Sequence, residues 1–138
     1  MSKATLRCVG LFYEMLQRLG IVVLRVRDWK KAIAWYTEKL DLKVSYIEEA
    51  DEWAQLIFPD GQTNLAILGD RNADLKSDNR FVPNILVLDL NDTVDRLKQR
   101  GVQFMGDIRG EEGCFRIITM IDPEENRLQL YELINNSK

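Results

Sequence analysis

The chain of 138 residues contains no histidine. That absence removes the imidazole on which Ser-His-Asp and Cys-His nucleophilic machinery depends. It also removes a favoured donor for zinc, nickel and iron. Cysteine is scarce too: Cys8 and Cys114 are the whole complement, too few and too far apart for a disulfide framework or a metal knuckle. They read as two free thiols in a reducing compartment, and the expected location is cytoplasmic. No apolar stretch approaches the roughly 20 residues that cross a bilayer. Arg7, Glu14, Gln17 and Arg18 break up the N-terminal segment where a secretory signal needs an unbroken apolar core. No glycine-rich phosphate loop is present. An excess of basic charge is missing as well. The net charge of −3 argues against nucleic acid as a partner, because phosphate binding needs a concentrated basic field.

What is present is ordinary in composition, 46% apolar and 30% charged, and sufficient for one compact domain. Its most informative feature is an internal repeat. The stretch from Ile21 to Val44 recurs in outline from Val82 to Phe104, with Ile21 falling on Val82, Leu24 on Ile85, Val26 on Val87, Asp28 on Asp89, Ile33 on Val94 and Tyr36 on Leu97. Self-similarity at a fixed offset marks one supersecondary unit used twice, because a single unit cannot bury its own apolar face.

Each copy reads as strand, helix and three further strands. Ile21–Arg27 is β-branched and apolar, hence a buried strand. Asp28 suits an N-cap, and Trp29, Ala32, Ile33, Tyr36 and Leu40 form one apolar helical stripe. Strands are expected over Leu42–Ile47, Trp53–Phe58 and Asn64–Leu68, with a turn at Pro59-Asp60-Gly61. In the second copy a strand over Pro83–Leu88 precedes a helix capped by Asn91 or Asp92 and ended by Gly101. Strands over Val102–Met105, Phe115–Ile121 and Arg127–Leu133 follow, the last after Asp122-Pro123. The predicted class is α+β: two βαβββ modules, 21–69 and 81–133, within a single domain 21–133, joined by a polar linker 70–80 and preceded by a helical extension 1–20.

This doubled order, together with Arg25-Val26-Arg27-Asp28 before a helix bearing Trp35-Tyr36 and the run Asp122-Pro-Glu-Glu-Asn-Arg-Leu-Gln-Leu-Tyr-Glu132, resembles the vicinal oxygen chelate superfamily. That superfamily includes glyoxalase I, extradiol dioxygenases, fosfomycin-resistance enzymes and bleomycin-resistance proteins. The resemblance covers Ile21 to Glu132. It implies two modules curling their sheets around a shared cavity with helices outside, and a homodimer as the expected assembly. Carried over position by position, the superfamily's metal ligands fall on Ile21, Ala66, Val82 and Gln129. Aliphatic side chains and one neutral amide cannot hold a divalent cation against water. Asp28, Asp89 and Glu132, the nearest carboxylates, sit where capping or solvent explains them. No metal and no cofactor is therefore expected, and no catalytic residue is assigned.

Taking those ligand positions as inward, strand alternation turns Ile21, Val23 and Arg25, then Val82, Asn84 and Leu86, then Arg127, Gln129 and Tyr131 toward the cavity. The candidate ligand-binding residues are Arg25, Trp53, Gln55, Asn84, Arg116, Gln129 and Tyr131, polar and aromatic handles on apolar walls. In glyoxalase I an arginine at the position of Arg25 contacts the anionic end of glutathione. Two readings of Arg25 stand, an anion handle or a strand-end residue meeting solvent or Asp28. Trp53 either stacks on a planar ligand or serves as core or dimer interface. The acidic run Glu48, Glu49, Asp51 and Glu52 reads as a solvated loop. The leading expectation is a metal-independent protein that sequesters an amphiphilic or aromatic ligand, without nucleic-acid or membrane partners. The alternatives are a metal-independent lyase or isomerase and a dimeric structural or regulatory module with a filled cavity.

Overall fold

A computed structural model describes residues 15, 18–73 and 81–134 of the chain. The helix read over residues 4–19, most of the N-terminal extension, Cys8 and the greater part of the linker lie outside the described residues. The order is β1 (Ile21–Val26), α1 (Trp29–Leu40), β2 (Lys43–Glu48), β3 (Trp53–Ile57), β4 (Asn64–Gly69), then β5 (Asn84–Leu86), α2 (Leu90–Gln99), β6 (Gln103–Glu111), β7 (Phe115–Ile121) and β8 (Arg127–Leu133). A single 3-10 turn at Glu49–Asp51 joins β2 to β3. Two four-stranded sheets result, β1-β4-β3-β2 and β5-β8-β7-β6. In both, the first strand pairs parallel with the fourth and the remaining pairs are antiparallel. The class is α+β with two βαβββ modules, and the sheets are not closed on each other.

Local chemistry explains most boundaries. Asp28 caps α1, its carboxylate accepting from the Lys31 amide at 3.0 Å, which satisfies one of the orphan donors of the first turn. The second helix begins a turn earlier than expected. Asp89, not Asn91 or Asp92, is its N-cap and accepts from the Asp92 amide at 3.0 Å, matching its place opposite Asp28 in the repeat. Gly101 ends α2 at φ +89°, a conformation that costs side-chain-bearing residues but not glycine. β6 runs to Glu111 rather than stopping at Met105, and β5 is only three residues long.

Alternation along the strands decides which face is buried. Val22, Leu24 and Val26 of β1, Ala54 and Leu56 of β3, Leu65 and Ile67 of β4, Ile118 and Met120 of β7, and Leu128 and Leu130 of β8 turn toward the helices. With Trp29, Ala32 and Tyr36 of α1 and Leu90, Val94 and Leu97 of α2 they form one continuous core shared by both modules. The modules are thus joined on their helical sides. A buried hydrogen bond crosses that junction, from the Tyr36 hydroxyl to Asp122 Oδ2 at 2.7 Å. Nearby, the Glu124 carboxylate accepts from the Arg27 and Asp28 amides at 2.6 and 2.8 Å. Among the described residues no helix is long and apolar enough to cross a membrane.

Candidate functional site

The sheet faces turned away from the shared core carry most of the candidate residues, arranged in rows set by the strand register. On the first sheet one row reads Arg25, Leu68, Trp53, Glu48, the next Val23, Ala66, Gln55, Tyr46, and the third Ile21, Asn64, Ile57, Lys43. On the second sheet the rows are Leu86, Tyr131, Ile117, Arg109, then Asn84, Gln129, Thr119, Met105. The repeat superimposes the two central rows, so Ala66 corresponds to Gln129 and Gln55 to Thr119. The wall is apolar and open: Val23 is 41% exposed, Tyr46 51%, Leu86 56% and Leu133 60%.

The polar handles are held at specific partners. Trp53 is half-buried and its indole N–H donates to Gln55 Oε1 at 3.1 Å, which fixes the amide orientation. Gln129 donates through Nε2 to the Thr119 hydroxyl at 3.2 Å, and Thr119 is itself buried. Asn84 donates to the Val82 carbonyl at 2.9 Å. Arg25 faces Asp70 at 3.7 Å rather than Asp28, with its side chain 70% exposed. A surface pair of that kind contributes under about 1 kcal/mol, so the guanidinium remains available to an anion.

Arg116 is set apart from this group. Alternation along β7 puts it on the helical side, where its guanidinium donates to Asn91 Oδ1 of α2 at 3.0 Å. The remaining handles fall into two half-sites, Arg25, Trp53 and Gln55 on the first sheet and Asn84, Gln129 and Tyr131 on the second. Tyr46 and Thr119 join these faces without having been singled out from the sequence, and Glu48, read there as part of a solvated acidic loop, ends β2 instead. For Tyr46 and Glu48 the reason is an irregularity between Val44 and Tyr46, which shifts the alternation and hides their face from a period-two count. The buried Thr119 was legible, two residues from Ile117 and Ile121 on the same strand face.

The positions that the resemblance assigns to metal ligands divide in the same way, Ile21 and Ala66 on one sheet, Val82 and Gln129 on or beside the other. The donor set does not fit a metal. Three of the side chains are hydrocarbon, and the Gln129 amide is engaged with Thr119. Among the described residues no group of three His, Cys, Asp or Glu side chains is placed to hold a metal ion. The neighbouring carboxylates have other work: Asp28 and Asp89 cap helices, and Glu132 Oε1 accepts from the Leu90 amide at 2.7 Å.

Comparison with known proteins agrees with this architecture. Residues 18–130 match the family model described as the glyoxalase/bleomycin resistance protein/dioxygenase superfamily. An uncharacterized protein from Bacillus subtilis, YraH, is 26% identical over 123 residues, which is 80% of this chain and 94% of that protein. Two solved structures share the fold. The fosfomycin resistance protein FosX from Listeria monocytogenes superimposes with a TM-score of 0.71 at 17% identity, over 86% of this chain and 94% of that one. TnmS3, an antibiotic binding protein from Streptomyces sp. CB03234, gives 0.70 at 18% identity, over 88% and 99%.

Proposed function

The chain belongs to the glyoxalase/bleomycin resistance protein/dioxygenase superfamily, and from that premise we propose that it is a metal-independent binder that sequesters an amphiphilic or aromatic small molecule. The observation that carries this reading is the pair of open sheet faces. Each combines an apolar wall with a few neutral donors and acceptors and with charged side chains along its rows, Arg25, Lys43 and Glu48 on the first and Arg109 on the second. The positions that the family resemblance assigns to a metal hold Ile21, Ala66, Val82 and Gln129. Such a surface recognises shape, stacking and a small number of hydrogen bonds. It lacks the donor set needed to polarise an oxygen. Trp53 supplies a ring for a planar ligand, Arg25 a handle for an anionic group, and Gln55, Asn84, Gln129 and Tyr131 orient the rest.

A homodimer completes the site in this reading. Within one chain the two half-sites belong to sheets joined on their helical sides, which leaves both apolar faces uncovered. An exposed apolar surface of this kind marks an interaction site. A two-fold pair of chains sets the first-module face of one copy against the second-module face of the other and does so twice, as an isologous interface requires. Domain 21–133, with modules 21–69 and 81–133, is the unit that pairs, and the cytoplasm is its proposed location, where the exposed free thiol of Cys114 stays reduced.

A thermal-shift panel of amphiphilic and planar aromatic antibiotics, run with and without EDTA, tests the proposal. A ligand at about 100 times its dissociation constant adds roughly 2.7 kcal/mol of stability. The expected result is a saturable rise in Tm with at least one compound, unchanged by the chelator. No rise with any class, or a rise that EDTA abolishes, refutes it.

A further inference from the structure

The junction between the modules is built twice, and the two copies are unequal. Ile57 pairs with Asn64 as Ile121 pairs with Arg127, so Phe58-Pro59-Asp60 stands where the second module has Asp122-Pro123-Glu124. The repeat likewise sets Leu97 of α2 against Tyr36 of α1. At one junction polar bonds close the gap: Tyr36 to Asp122, and Glu124 to the Arg27 and Asp28 amides. At the other, Phe58 and Leu97 replace the hydrogen-bonded pair. Asp60 turns back on its own loop, accepting from the Gln62 and Thr63 amides at 2.9 Å each.

Where the carboxylate bridges are missing, a cleft of about 240 Å³ remains. Its floor is apolar, with Leu42, Phe58, Leu97, Met120 and Leu130, and its rim carries Lys39, Arg96 and Arg100 against the single carboxylate of Asp41. Arg100 is committed to the Lys39 carbonyl at 2.7 Å and Asp41 at 3.0 Å. Arg96 reaches Asp92 only at 3.7 Å, on a side chain 64% exposed. The Lys39 ammonium has no ion-pair partner among the described residues.

We propose that this cleft is a second binding site, distinct from the open sheet faces, for a short apolar carboxylate. The tail lies on the Phe58–Leu97 floor and the carboxylate meets the Lys39 and Arg96 rim. Charge complementarity selects the ligand's sign, since the rim has spare cations and its one carboxylate is already paired. Size selects its length. The cleft is smaller than the roughly 300–1,000 Å³ of pockets for drug-sized ligands. The site does not depend on the function proposed above: none of the polar handles assigned to that function lines the cleft, and of the open-face wall only Leu86 does.

The test is an amide NMR titration of the full chain with sodium octanoate, with octylammonium as the charge-reversed control. The expected result is saturable shifts at Thr93, Arg96, Leu97 and Arg100 with octanoate and markedly weaker binding of the ammonium. Lys39→Ala and Arg96→Ala each weaken octanoate about two- to fivefold, the range that an exposed ion pair supplies. Leu97→Phe fills the floor and abolishes binding. Should that variant unfold, Arg96→Glu, a surface change, is expected to reverse the preference toward octylammonium. Absence of saturable shifts overturns the proposal. So does equal binding of the two probes, unchanged affinity in both alanine variants, or shifts confined to β1, β3 and β4, none of which lines the cleft.

Discussion

Replacing Tyr36 with phenylalanine removes one oxygen and tests whether the bond to Asp122 holds the two modules together. The ring stays in place, so packing of the fully buried side chain and its edge-to-face contact with Trp35 at 4.8 Å are retained. What disappears is a 2.7 Å bond from the hydroxyl to Asp122 Oδ2. Hydrogen bonds to charged groups contribute about 1.5–3 kcal/mol. Asp122 keeps its other donors, the Glu124 and Asn126 amides on Oδ1 and Asn126 Nδ2 on Oδ2, so no acceptor is stranded and the loss belongs at the lower end, about 1.5–2 kcal/mol. For a chain of this size that is a fall in Tm of about 5–7 °C by calorimetry. Alkaline pH gives a second readout. Burial first, then the neighbouring Asp122 charge and its hydrogen bond, push the Tyr36 pKa well above its ordinary value of 10.0. The unfolded chain therefore releases this proton first as pH rises. The contribution is complete below about pH 9 and is lost progressively above the unfolded value of about 10. The stability gap between wild type and Tyr36→Phe is expected to narrow between about pH 9 and pH 11. A destabilisation below about 0.5 kcal/mol, or a gap that does not change with alkaline pH, refutes the reasoning.

Leu86→Asp places a charge on the half-exposed face of β5 and is expected to shift sedimentation toward the monomer with little change in circular dichroism. If the half-sites meet across two copies, the combined substitution Ile21→His, Val82→His and Gln129→Glu supplies the missing donors. Zinc or nickel uptake is then expected by calorimetry, lost again when Leu86→Asp is added; uptake that survives in the monomer contradicts the shared site. Gly110→Ala builds a Cβ against the Phe115 carbonyl at φ +156° and is expected to cost about 1–3 kcal/mol, read as earlier chemical denaturation and faster amide exchange along β6 and β7.

The parts of this molecule that were legible in the sequence are those set by neighbours along the chain. The repeat, the Asp28 cap, the Gly101 stop and the alternation of β1 and β8 follow from spacing alone. The length of β6 did not, because Gly106, Asp107 and Gly110 interrupt the apolar pattern in a strand that is mostly exposed. The second cap was ambiguous because Asp89, Asn91 and Asp92 are each competent to accept from a first-turn amide. Period two shows which strand face is buried but not what buries it. The joining of the modules on their helical sides, through residues as distant as Tyr36 and Asp122, was therefore beyond reach. So was the placement of Arg116 against α2, since β7 is partly or fully buried on both faces and its polar residue has no periodic mark.

The absence of a metal from the open faces is the central claim, and elemental analysis reaches it most directly. The purified protein is incubated with Zn²⁺, Ni²⁺, Mn²⁺ and Fe²⁺, desalted, and measured by inductively coupled plasma mass spectrometry. With hydrocarbon at Ile21, Ala66 and Val82 and a committed amide at Gln129, the expected content is far below stoichiometric for every ion. A stoichiometric content of any one of them, removed by chelator together with ligand binding, contradicts the claim.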